Sequence, residues 1–276
     1  MLQISLKHLN ELWIHTGTAC NLECPFCLEG SRPGDTRLER IKLNEIKPYL
    51  DEAVSLSVKR FCFTGGEPLI VKDIVKILEY ALTLKPCLVL SNGTAPLLKR
   101  LHQLQLLKQQ KHPLSFRISI DHPDQHLHDS GRGWGNFQRA VEALQLLHEQ
   151  GFEISIARQV TTNENINKVT EDFRQLLRRA RLPADTQIIA LPELGKLGTN
   201  PELSTPLPIP KPTAHLMCTQ SRMLIKNKGQ LRVYACAFTD DDERFDLGTS
   251  LTTATESSVC LQHQRCAQCV MNRATY

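Results

Sequence analysis

Short, almost wholly apolar runs recur along the first 195 residues, separated by stretches in which apolar positions return every three or four residues. The runs are "LWIHT", "RFCFTG", "CLVLSN", "FRISID", "EISIARQV" and "QIIAL". Strands covered on both faces of a parallel sheet read this way, whereas half-solvated strands alternate. The stretches between them read as amphipathic helices. In "DIVKILEYAL", Ile74, Ile77, Leu78, Ala81 and Leu82 form one stripe, with Asp73 placed as an N-cap. "NFQRAVEALQLLHEQG" repeats the stripe with Phe137, Ala140, Val141, Leu144 and Leu147, and Gly151 suits the C-terminal stop. "NINKVTEDFRQLL" does so with Ile166, Val169, Phe173 and Leu176. Six strands alternating with helices predict an α/β fold of βα units with right-handed crossovers. An open doubly wound sheet and a partial barrel both satisfy that pattern.

The pattern breaks after "IIALPELGKLG". "TNPELSTPLPIPKPT" has no periodicity and reads as a linker. "RMLIKNKGQLRVYAC" reads as a hairpin turning at Asn227-Lys228-Gly229. Beyond it few apolar residues remain, and so small a unit needs a staple. The expected division is residues 1–195, a proline-rich linker at 196–217, and a small cysteine-rich unit at 218–276.

Composition narrows the classes. The chain is 41% hydrophobic and 22% charged, with a formal net charge of +4 and no long run of like charge. The basic stretch "RQLLRRARL" falls on a predicted amphipathic helix, where it reads as a solvated face rather than a nucleic-acid surface. No apolar run approaches the roughly 18 residues of a membrane span. "MLQISLKHLNELW" lacks the basic head, apolar middle and cleavage site of a signal peptide. A cytoplasmic protein without nucleic-acid or membrane partners is expected.

Ten cysteines change the picture. Cys62 and Cys87 sit in apolar runs and read as buried structural thiols. Cys20, Cys24 and Cys27 form C-x3-C-x2-C within "GTACNLECPFC". A zinc site would want a fourth ligand, and the nearby His15 falls on a predicted strand. A disulfide leaves one thiol over. Three thiolates can instead hold three irons of a [4Fe–4S] cluster and leave the fourth iron open.

These residues resemble a known family. "CNLECPFC", with the aromatic Phe26 before its last cysteine, is similar to the signature loop of radical S-adenosylmethionine (SAM) enzymes. "FTGGEPLI", "LSNGT" and "SIDHPDQHLHDSGRG" follow in that family's order, so the resemblance covers about residues 11–195. It implies a partial (β/α)6 TIM-type barrel with its chemistry at the C-terminal ends of the strands. It also implies that Cys20, Cys24 and Cys27 ligate the cluster while SAM chelates the open iron. Gly65 and Gly66 would let the backbone approach the methionyl amino group, with Glu67 orienting their loop. Ser91 and Asn92 resemble the end of the third barrel strand. Ser119 would bond the ribose or methionyl group, Asp121 would contact the cofactor or cap its strand, and Arg132 would grip the SAM carboxylate. His122, His126 and His128 read as loop surface, since the family does not require them. The implied reaction is reductive cleavage of SAM to methionine and a 5′-deoxyadenosyl radical, which takes a hydrogen atom from substrate.

Cys218, Cys236, Cys266 and Cys269, spaced C-x17-C-x29-C-x2-C, resemble the one-cluster auxiliary domain called twitch, rather than its two-cluster SPASM form. A zinc ribbon is the alternative, and Cys260 is either a spare thiol or a substitute ligand. The expectation is a radical SAM oxidoreductase that dehydrogenates a small molecule. The auxiliary [4Fe–4S] cluster would act as electron acceptor, and flavodoxin or ferredoxin as reductant. The first alternative is a maturase of ribosomally made peptides. Against it, the first strand begins so near residue 1 that no leader-recognition domain fits before it. A zinc-stapled binding protein without catalysis is the second alternative.

Overall fold

All six apolar runs are parallel strands of one sheet. The computed structural model describes residues 3–160, 164–191, 194 and 216–271. After a short β1 (Gln3–Ser5), the strands β2 (Glu11–His15), β3 (Arg60–Thr64), β4 (Cys87–Ser91), β5 (Leu114–Ser119), β6 (Glu153–Gln159) and β7 (Gln187–Leu191) alternate with helices. These helices are α1 (Leu43–Ser55), α2 (Ile74–Leu84), α3 (Ala95–Leu106), α4 (Gln125–Arg132), α5 (Asn136–Glu149) and α6 (Ile166–Arg179). The C-terminal part adds β8 (Ser221–Asn227), β9 (Gln230–Tyr234), α7 (Leu251–Glu256), β10 (Ser258–Cys260) and α8 (Gln264–Met271). The linker expected at 196–217 lies outside the described residues except for its last two.

The large sheet runs β7-β6-β5-β4-β3-β2-β8-β9, with every pair parallel except β8–β9. The hairpin expected within the small C-terminal unit is therefore also the edge of the barrel sheet, with Leu12 opposite Arg222. Its turn forms as expected: Lys228 and Gly229 both take positive φ, +50° and +79°, as a two-residue hairpin turn of this hand requires. Among the described residues no pairing of β7 with β9 closes the sheet.

Alternation along the strands divides the core. Leu12, Ile14, Phe61, Phe63 and Val89 pack under the helices, whereas Trp13, Cys62 and Leu88 face the other way and meet Met223 of β8. Cys62 and Cys87 are buried in these two cores on opposite faces, as structural thiols. Each fully buried Phe or Leu contributes roughly 1.5–3 kcal/mol. Gly151, at φ +75°, stops α5 as its sequence suggests. Asp73 occupies the N-cap of α2, but its side chain makes no capping bond. The C-terminal ends of the parallel strands β2 to β7 thus point their loops to one side of the sheet.

Candidate active site

The loop after β2 carries the first three cysteines, and its two ends are zipped together. Ala19 bridges to Arg32, the Cys20 amide donates to the Arg32 carbonyl at 3.2 Å, and the Thr18 amide donates to the Leu38 carbonyl at 3.1 Å. Within it, the Cys27 amide donates to the Cys24 carbonyl at 3.0 Å, a tight turn that sets these two side chains beside each other. Burial pushes the Cys20 thiol up to about 12 and raises Cys24 as well. Such thiols stay protonated until a metal displaces the proton.

Gly65 and Gly66 serve this loop directly. A Cβ on Gly66 would lie 2.2 Å from the Ala19 carbonyl oxygen, and one on Gly65 would lie 2.7 Å from that of Gly17. The Gly66 and Glu67 amides donate to those same two carbonyls, at 2.9 Å from Gly17 and 3.1 Å from Ala19 respectively. The paired glycines are therefore needed to let the loop after β3 lie against the cysteine loop. That packing reason had not emerged from the sequence.

Glu67 is wholly buried and lies beneath the pocket rather than lining it. Its carboxylate accepts from the Leu69 amide at 3.0 Å, the Asn92 amide at 2.8 Å and the Ser91 hydroxyl at 3.0 Å. It ties the glycine loop to the end of β4. Asn92 in turn donates through Nδ2 to Asn21 Oδ1 at 3.0 Å and approaches Cys20 Sγ at 3.8 Å.

Past β5, Asp121 meets Arg132 of α4. Arg132 Nη2 donates to Asp121 Oδ1 at 3.2 Å, and Nε donates to Oδ2. Burial alone would raise the Asp121 carboxyl; the charge and hydrogen bonds of Arg132 outweigh it and hold it below its usual value. Asp121 Oδ1 also accepts the Gln159 amide at 3.2 Å, so it caps the neighbouring strand end as well. The Arg132 guanidinium lies 5.7 Å from the Phe26 ring. A Cβ on Gly131 would lie 2.2 Å from Phe26 Cε1, so this glycine makes room for the ring.

These elements line a half-open cavity of about 150 Å³. Its lining includes Cys20, Cys24, Cys27, Phe26, Gly65, Gly66, Ser91, Asn92, Ser119, Asp121 and Arg132. Every expected cofactor-site residue except Glu67 thus faces one space. Arg158, Gln159 and Leu191, at the ends of β6 and β7, line it too and were not singled out from sequence. Their only signal was position, since barrel chemistry gathers at C-terminal strand ends. The three histidines separate. His122 accepts the Asp124 amide through Nδ1, His126 is exposed beside Trp134, and His128 is buried on α4 rather than on a loop surface.

The donor set fits an iron–sulfur cluster with one open corner. No fourth Cys and no His lines the cavity among the described residues. Nor do three His, Cys, Asp or Glu side chains converge on a single ion there, and thiolates that each bind a separate iron need not do so.

A second, smaller cavity, of about 40 Å³, is lined by Cys218, Cys236, Cys266 and Cys269 together with mostly apolar side chains. Cys218 lies on a 3-10 turn before β8, Cys236 follows β9, and Cys266 and Cys269 are one turn apart on α8. Burial pushes the Cys218 thiol up to about 11 and those of Cys266 and Cys269 to about 12. Val259 and Leu261 line this cavity while Cys260 between them does not, so strand alternation turns Cys260 away from it. Side chains tie the two cysteine regions together. Arg37 donates to Asp240 and to the Glu29 carbonyl, and Glu29 is paired with His15 at 3.1 Å.

Comparisons with known proteins agree with this geometry. The chain is 32% identical over 143 residues to the antilisterial bacteriocin subtilosin biosynthesis protein AlbA of Bacillus subtilis, covering 51% of this chain and 31% of AlbA. It is 28% identical over 156 residues to the AdoMet-dependent heme synthase of Methanosarcina barkeri, covering 56% and 43% of the two chains. The chain thus spans less than half the length of either relative. Among solved structures, anSMEcpe with bound AdoMet and a Cp18Cys peptide superposes with a TM-score of 0.63 at 16% identity, covering 90% of this chain and 80% of that one. That likeness concerns the fold. No helix among the described residues is long and apolar enough to cross a membrane. Residues 14–176, more than half of the chain, match the family model described as the radical SAM superfamily; the chain belongs to that superfamily, whose members use a [4Fe–4S] cluster and SAM.

Proposed function

We propose that this protein is a radical SAM oxidoreductase in which residues 218–276 hold a second [4Fe–4S] cluster. The observation that carries the reading is that Cys218, Cys236, Cys266 and Cys269 all line one cavity. When bound, the first cluster with SAM would supply radical hydrogen abstraction, and a second cluster held by Cys218, Cys236, Cys266 and Cys269 would supply a one-electron acceptor. Cys20, Cys24 and Cys27 hold the first cluster. Arg132 and Ser119 bind SAM, with Asp121 orienting the arginine. Glu67 holds the glycine loop, and Phe26 excludes water from one side. Arg158, Gln159 and Leu191, which line the same cavity, are the side chains left to meet the substrate. The net change is a two-electron oxidation of substrate, with flavodoxin or ferredoxin as the external reductant.

Replacing Cys266 and Cys269 together tests the reading. SAM cleavage should persist while oxidised product disappears. Unchanged product from the double variant would rule out the acceptor role.

A peptide substrate is the second reading, and two observations support it. The fold likeness to anSMEcpe, solved with a peptide, extends over 90% of this chain, and the relative AlbA serves bacteriocin biosynthesis. Product formation from a short peptide panel, compared with free small alcohols, separates the two substrate classes.

A further inference from the structure

Arg222 of β8 is the largest fully buried side chain among the described residues, at 0% exposure. Among the described residues its guanidinium has no carboxylate partner. It donates instead to four backbone carbonyls: Ala254 at 2.9 Å, Cys218 at 2.8 Å, Ser221 at 2.9 Å and Ser257 at 3.1 Å. Two of these close the C-terminal end of α7, where carbonyls present partial negative charge. Partial charges satisfy the hydrogen bonds but leave a full positive charge buried, which is costly unless an anion stands nearby.

Cys218 is one of the four thiols around the second cavity. A cluster held by four thiolates is anionic, and one-electron reduction adds another negative charge. A fixed cation beside it stabilises the reduced form more than the oxidised one.

We propose that Arg222 is the built-in counter-charge of the C-terminal cluster, raising its reduction potential and favouring its retention. The proposal rests on the second-cluster reading above and assigns to this chain a residue that tunes the acceptor. The competing role is a plain clamp, in which Arg222 only ties the 217–221 turn to α7.

The test is a redox titration of the full-length, iron-loaded protein with dithionite as reductant, following the electron paramagnetic resonance signal that added SAM leaves unchanged. Wild type, Arg222→Lys and Arg222→Gln are compared, with iron and sulfide counted in each. Arg222→Gln should lower the reduced-to-oxidised ratio at fixed potential about tenfold, equivalent to about 59 mV for one electron. Arg222→Lys should stay near wild type. A loaded Arg222→Gln protein with the wild-type midpoint overturns the proposal. If Arg222→Gln loses the second set of irons, retention by Arg222→Lys supports the counter-charge, and equal loss by both variants establishes the clamp instead. Wild type holding only about four irons per chain is a different failure. It removes the second-cluster reading itself, and this proposal with it.

Discussion

Glu67 accepts a hydrogen bond from the Asn92 backbone amide at 2.8 Å, and through it the glycine loop after β3 is tied to the end of β4. The same carboxylate takes the Leu69 amide and the Ser91 hydroxyl. Because the Gly66 and Glu67 amides also grip the cysteine loop, one buried acid organises three of the segments around the cavity.

Burial pushes the Glu67 carboxyl up from 4.5 to about 7, against donors that pull it down. The folded chain therefore holds an extra proton between those values. Stability from this group is present below about 4.5 and falls as pH rises to about 7. Each pH unit of that window is about 1.4 kcal/mol, so the full effect is about 3 kcal/mol at most. Urea midpoints measured across the window should decline in the wild type and flatten in Glu67→Gln. That variant should also lose about 1–3 kcal/mol, because its amide meets donors that need an acceptor. A parallel decline in both proteins would count against this role.

Gly66→Ala places a methyl group 2.2 Å from the Ala19 carbonyl oxygen, where only backbone can give way. Overpacking of this kind costs about 1–3 kcal/mol or more. The displaced loop carries Cys20, so iron content should fall by about four per chain. Full iron loading with an unchanged urea midpoint would show that the close approach is dispensable.

Gly131→Ala should separate stability from cofactor binding. Alanine in a helix normally gains about 1 kcal/mol over glycine. Here its methyl group would displace the Phe26 ring, which it would meet at 2.2 Å. Thermal stability should hold or rise while SAM affinity, read by equilibrium dialysis, weakens several-fold. Unchanged affinity would remove Phe26 from the site.

Arg132→Ala leaves Asp121 partly buried without its guanidinium. The pair's side chains are 14% and 13% exposed, so the loss should be about 2 kcal/mol, between the exposed and buried ranges. Adding Asp121→Ala should recover part of that stability but none of the SAM affinity. Recovery of both would make the arginine a structural partner only.

Much of this was legible in the sequence because the signals were local. The six apolar runs became β2 to β7, since strands buried on both faces announce themselves by composition. The cysteine, glycine, Ser-Asn and Asp-to-Arg segments came together because each follows a barrel strand, and the strands are parallel. What stayed hidden was non-local. Nothing in "RMLIKN" says that β8 pairs with β2, because a strand buried along its length has no face that names its neighbour. The helix α1 contains Pro48, which argues against a helix when read alone. The need for Gly66 came from a carbonyl 47 positions earlier, at Ala19, and the need for Gly131 from the Phe26 ring. The direction in which Cys260 turns emerged only with β10, whose neighbours Val259 and Leu261 line the second cavity.

The central claim is that three thiols hold a cluster whose remaining corner takes SAM. Anaerobically purified protein, reduced with dithionite and given SAM, should release 5′-deoxyadenosine and methionine, and Cys20→Ala, Cys24→Ala or Cys27→Ala should each abolish that release. Protein that carries no acid-labile sulfide and returns the SAM intact would contradict the account at its root.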